Sequence, residues 1–111
     1  MKLVIITSCV AGVAHSEMCA AALKKEAIAR GHSVRVEMQG GSNLSDMLPK
    51  EICQSTDVIL IAYAIAVAKK ERFEGKPVVK VPIDQAIRHI KQVMDKAEEV
   101  YEQTIGKDMG D

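Results

Sequence analysis

The spacing of apolar and polar positions changes several times along the chain, and each change marks an element. Lys2 to Thr7 is a β-branched apolar run that closes in polar residues, which predicts a first strand. Ser16 to Arg30 is rich in Ala, Leu, Lys and Glu, and Cys19, Leu23 and Ala27 recur at helical spacing. That predicts a helix with those three residues on its inner stripe, and Gly31 supplies its stop signal. From Ser33 to Met38, Val34, Val36 and Met38 alternate with polar residues as in a strand, and Gln39-Gly40-Gly41-Ser42-Asn43 reads as a loop. Pro49 to Ser55 predicts a short helix with Pro49 near its first turn. Asp57 to Ala62 is almost wholly apolar, as a parallel strand covered on both faces would be. A brief helix over Ala66 to Phe73, a turn at Glu74-Gly75-Lys76-Pro77 and a fourth strand from Val78 to Val81 follow. Ile83, Ile87, Ile90, Met94, Ala97 and Tyr101 then form the inner face of one long helix from about Pro82 to Ile105.

The order β-α-β-α-β-α-β-α predicts an α/β fold, a three-layer sandwich in which a Rossmann-like four-stranded parallel sheet is flanked by helices. With no repeat or linker, residues 1–105 read as a single domain and residues 106–111 as a flexible tail. The longest apolar stretch, Val58 to Ala68, is about half of what a membrane span needs. The N-terminal apolar run meets Thr7-Ser8-Cys9 too early for a signal-peptide core. A cytoplasmic protein without membrane insertion is therefore expected. The 15 basic and 15 acidic side chains give no basic field, which argues against nucleic acid as a partner. Cys9, Cys19 and Cys53 have neither CxxC nor zinc spacing, so free thiols are expected, with no metal and no cofactor.

In open α/β sheets ligands bind outside the carboxyl ends of the strands. The first predicted strand ends at Thr7-Ser8-Cys9, and Cys9-Val10-Ala11-Gly12-Val13-Ala14-His15-Ser16 leads on to a helix expected to start at Ser16, a good N-cap. Val10, Ala11, Gly12, Val13 and Ala14 are all small or compact. Such a loop can wrap with its backbone N–H groups inward as an anion nest, and the helix end adds a positive dipole. The same donors acidify a thiol at the mouth of the loop, which makes Cys9 a candidate nucleophile toward phosphorus. The residues from Val10 to Ser16 are the candidate phosphate cradle, with His15 either contacting the phosphate or simply packing the loop. Cysteine phosphatases use a loop of this length but carry Arg where His15 stands, and no obvious acid follows here to assist hydrolysis. These features favour a phosphoryl carrier over a phosphatase. By contrast, Cys19 and Cys53 read as core fillers on helix faces, and His32 and His89 as solvated.

The loop, followed by Met18 and Ala20-Ala21-Ala22-Leu23, resembles the fructose-type IIB component of the bacterial phosphoenolpyruvate-dependent sugar phosphotransferase system, whose loop usually reads Cys-Pro-Thr-Gly-x-Ala-His-Thr. The likeness continues in Val36-Glu37-Met38-Gln39-Gly40, in Ala62 to Val67 and in Arg72-Phe73-Glu74-Gly75-Lys76-Pro77, and covers roughly residues 1–95. It implies that Cys9 accepts a phosphoryl group from a phosphohistidine on a IIA component. Cys9 would then pass it to fructose or a related sugar held by a membrane IIC component, with the chain docking on that permease. Val10 and Ala11 replace the usual Pro-Thr, and Ala64 stands where the family commonly has Asp. Those replacements keep two other readings in view: a cysteine-loop phosphatase, and a non-catalytic regulatory homologue.

Overall fold

The computed structural model describes residues 1–9, 13–40, 48–67 and 70–109; at positions 9, 13–16, 40 and 104–109 it describes the backbone alone. The elements are β1 (Lys2–Cys9), α1 (Val13–Ala29), β2 (Ser33–Gly40), α2 (Lys50–Ser55), β3 (Val58–Tyr63), a 3₁₀ turn (Lys70–Phe73), β4 (Val78–Pro82), α3 (Ile83–Arg88) and α4 (Ile90–Met109). Among the described residues the four strands form one sheet in the order β2-β1-β3-β4, parallel throughout. Helices cover both faces, so the sandwich and its Rossmann-like sheet are as the alternation of elements predicts.

One face carries the larger core. Leu3 and Ile5 of β1, Val58, Leu60 and Ala62 of β3 and Val79 of β4 pack against Cys19, Leu23 and Ala27 of α1 and against Ile83, Ala86, Val93, Met94 and Ala97 of α3 and α4. The predicted α1 stripe is fully buried, at 0% exposure for all three residues. Gly31 ends α1 with φ +84°, a left-handed conformation that a side chain would oppose, and His32 N–H donates to Ala27 O at 3.0 Å. The opposite face holds a smaller cluster of Val4, Ile6, Cys53, Ile59, Ile61, Val67 and Phe73 under α2 and the 3₁₀ turn. β3 is buried from Val58 to Ala62, which explains its unbroken apolar run.

Several boundaries differ from expectation. α1 begins at Val13, so Ser16 lies inside the first turn rather than capping it. Gln39 and Gly40 extend β2 rather than opening a loop. The brief helix contracts to Lys70–Phe73. The long final helix is two helices, broken at His89 with φ −132° and ψ 50°. Neither Pro nor Gly marks that break, and the buried spacing of Ile83, Ala86, Val93, Met94 and Ala97 runs through it, so periodicity reads one helix. α4 also runs through much of the expected tail, to Met109. His89 is exposed as expected. His32 is not solvated: its ring is 13% exposed, and Nε2 lies 2.7 Å from Glu98 Oε2. Glu98, Glu26 and Asp95 also gather around the Arg30 guanidinium at 2.7–2.9 Å, which ties α4 to the end of α1 and holds Arg30 above the usual arginine range. Cys19 and Cys53 are free thiols.

Candidate active site at the carboxyl end of the sheet

β1 and β2 finish side by side, with Cys9 paired to Gly40. β1 is the longer of the two inner strands, and the polar residues Thr7 and Ser8 near its end are both 0% exposed. Tyr63, the last residue of β3, pairs with Ser8. The chain beyond it is fastened to the same residue: Ala64 N–H donates to Ser8 O at 2.6 Å, and Ser8 Oγ donates to Ala66 O at 3.3 Å. The Ala64–Ala66 segment is thus anchored to the residue directly before Cys9.

α1 starts at Val13, so the free N–H groups of its first turn begin three residues nearer Cys9 than Ser16 would place them, and Ala14, His15 and Ser16 belong to that turn. A strand end and a helix N-terminus are therefore four residues apart in sequence, an arrangement able to hold an anion. The expected cradle residues Val10, Ala11 and Gly12 lie outside the described residues. For Cys9, Val13, Ala14, His15 and Ser16 the backbone position is what the structure supplies.

The other two cysteines contrast with this setting. Burial pushes the Cys19 thiol up to about 11. Burial also raises Cys53, against the opposing influence of the Arg72 charge. Both are held as neutral thiols within the cores, the inert condition for a cysteine. No group of three or more potential metal ligands occurs among the described residues.

Behind the end of β2 lies a feature that the residue pattern did not reveal. Glu37, 1% exposed, takes a two-pronged ion pair from Arg72, 5% exposed: Nη1 to Oε1 at 2.7 Å and Nη2 to Oε2 at 2.9 Å. Gln39 Nε2 donates to Glu37 Oε2 at 2.6 Å. Leu48 N–H donates to Glu37 Oε1 at 2.5 Å, while Arg72 Nη1 donates to Leu48 O at 2.6 Å. Burial alone would raise the Glu37 carboxyl, but the Arg72 pair and the Gln39 and Leu48 donors outweigh it and hold Glu37 below the usual carboxylate range. The partnership joins two of the segments that carry the family likeness, Val36–Gly40 and Arg72–Pro77. That likeness was the one sequence signal that could have singled them out. Thr7 presents the opposite situation: its hydroxyl is buried and has no hydrogen-bond partner among the described residues.

Comparison with known proteins identifies the family. The family model described as the lactose/cellobiose-specific IIB subunit of the phosphotransferase system (PTS) matches residues 4–96. The chain is 38% identical over 103 residues to the PTS fructose-like EIIB component 2 of Escherichia coli strain K12, covering 93% of this chain and 97% of that protein. It is 35% identical over 98 residues to the fructose-like PTS EIIBC component of the same organism, covering 86% of this chain and 20% of that longer protein. The crystal structure of a predicted fructose-specific IIB from Escherichia coli superposes with a TM-score of 0.85 at 34% identity, covering 90% of this chain and 88% of that one. No described helix is long and apolar enough to cross a membrane. The chain belongs to the IIB family of the sugar phosphotransferase system.

Proposed function

We propose that this IIB protein carries a phosphoryl group on the sulfur of Cys9. The thiolate attacks the phosphorus of a phosphohistidine on a IIA component; the S–P bond forms as the N–P bond breaks, and the freed imidazole takes up a proton. A sugar hydroxyl on the IIC component then attacks the same phosphorus and loses its proton. The S–P bond breaks and the thiolate is restored. The observation that carries this reading is the placement of Cys9 at the end of β1, with the first turn of α1 beginning at Val13. The N–H groups of that turn favour both the thiolate and the phosphoryl oxygens as charge builds on them. Val10, Ala11, Gly12, Val13, Ala14, His15 and Ser16 form the proposed cradle. With His15 where a phosphatase has Arg, hydrolysis is disfavoured and the phosphocysteine persists long enough for transfer.

The acceptor is fructose or a closely related sugar, a reading supported by the fructose-like names of the relatives against the lactose/cellobiose wording of the family model. A IIC partner is supported by the relative in which an EIIB-like segment is fused to a C component. In the proposed setting the chain works at the cytoplasmic face, docked on the permease. The test is mass spectrometry after incubation with a phosphorylated IIA protein. Wild type, Cys19→Ser and Cys53→Ser are expected to gain one phosphate, and Cys9→Ser none. An unphosphorylated wild type, or phosphate retained in Cys9→Ser, overturns the reading.

A further inference from the structure

Beside the Ala64–Ala66 segment, a hollow of about 340 Å³ opens between the carboxyl end of β3 and the edge strand β4. It is lined by Ile61, Tyr63, the chain from Ala64 to Val67, Lys70 and Lys80. Lys70 starts the 3₁₀ turn and Lys80 lies in the edge strand β4. Neither lysine has a carboxylate partner among the described residues. Glu71 and Glu74 border a second hollow that continues past the lysines along β4, but they do not line the first. Tyr63 is 37% exposed and offers a ring face with a hydroxyl edge. Ala64 in the wall adds no charge beside them.

We propose that this hollow binds a small phosphomonoester, with Lys70 and Lys80 on the phosphate and Tyr63 against a compact polar body such as a hexose. Two lysines bordering one partly enclosed, largely apolar hollow suit one anionic head on a small molecule, and the volume is in the range of small-ligand sites. Because the wall is bonded to Ser8 through Ala64 N–H and Ala66 O, an occupant would press on the residue adjoining Cys9. Binding itself does not depend on Cys9 chemistry, and Cys9→Ser is expected to retain it, so the site stands or falls separately from the phosphocysteine reading.

The test is an NMR titration of isotope-labelled protein with glucose 6-phosphate, inorganic phosphate, glucose and a hexaglutamate peptide. The expected result is a saturable shift of the Tyr63–Val67, Lys70 and Lys80 amides with the sugar phosphate, weaker with phosphate and absent with glucose. Both lysines are exposed, so K70A/K80A should fold, and its affinity should fall by about tenfold or more as two charged contacts are lost. Shifts confined to the first turn of α1, an unchanged affinity in K70A/K80A, or tighter binding of hexaglutamate than of the sugar phosphate would overturn the proposal.

Discussion

The two faces of the sheet are held by different physics. On the α1/α3/α4 face, aliphatic side chains meet aliphatic side chains: Leu3, Ile5 and Leu60 against Leu23, Met94 and Ala97. On the α2 face the apolar cluster is smaller, and its end nearest Cys9 and Gly40 is occupied by the Glu37–Arg72 pair with Gln39 and Leu48. Apolar contact is non-directional and tolerates sliding. A two-pronged ion pair has one good geometry. The face that needs bulk cohesion is greasy, while the strand end beside the proposed phosphoryl site is fixed by a directional device.

Removing one partner of the pair should have the largest effect. Glu37→Ala or Arg72→Ala leaves an uncompensated buried charge, and each is expected to cost about 3–5 kcal/mol in urea unfolding. Leu23→Ala on the other face should cost about 2–5 kcal/mol by transfer and cavity effects. The faces separate in the second variant. Glu37→Leu with Arg72→Met removes both charges and should recover part of the loss, but not all of it, because Leu48 N–H and O lose the partners that Glu37 and Arg72 supply. No second substitution of charge type can repair Leu23→Ala. A double variant no better than the singles would show that the pair is not a coupled unit.

Acid should weaken the α2 face through Glu37. The Glu37 carboxyl sits lower in the folded protein than in the unfolded chain, so its stabilisation is fully present above the unfolded carboxylate range. It fades as pH falls through that range and is gone below the lowered folded value. Stability against pH, measured by urea midpoints, is expected to decline on the acid side in wild type and to decline less steeply in Glu37→Gln. An identical slope in the two proteins would mean that Glu37 does not bind its proton differently on unfolding.

These contrasts also explain what the sequence made legible. The α1 stripe of Cys19, Leu23 and Ala27, the apolar run of β3 and the placement of Cys9 at a strand end follow from local periodicity, which burial on the greasy face imposes directly. The polar device leaves no such trace. In Ser33–Gly40 the alternation assigns Arg35, Glu37 and Gln39 to one side, and Arg35 is indeed exposed. Glu37 and Gln39 are buried, because Leu48 and Arg72 close over that end of the strand from elsewhere in the chain. The burying partner of Glu37 lies 35 residues away, beyond any local pattern. The same limit applies to the His89 break and to the start of α1, which lies at Val13 although Ser16 is a good N-cap residue. The lysine-lined hollow depends on Lys70 and Lys80 meeting across the edge of the sheet, which spacing alone does not show.

The smallest expected effect reverses the comparison. On the polar face the buried hydroxyls are satisfied, Ser8 Oγ by Ala66 O and Thr56 Oγ1 by Cys53 O. The buried orphan is Thr7 Oγ1, on the greasy face, where Thr7 stands in register with Ala62 just as Ile5 does with Leu60. A buried hydroxyl with no partner costs free energy that a methyl group of similar shape would not. Thr7→Val is therefore expected to stabilise the fold by about 1 kcal/mol, read as a rise in urea midpoint at constant slope. Ser8→Ala makes the control, since it removes a hydroxyl whose bond to Ala66 O is made and should destabilise by a similar amount. If Thr7→Val instead loses stability, the hydroxyl has a partner such as a buried water, and the greasy face is wetter at its carboxyl end than its packing suggests.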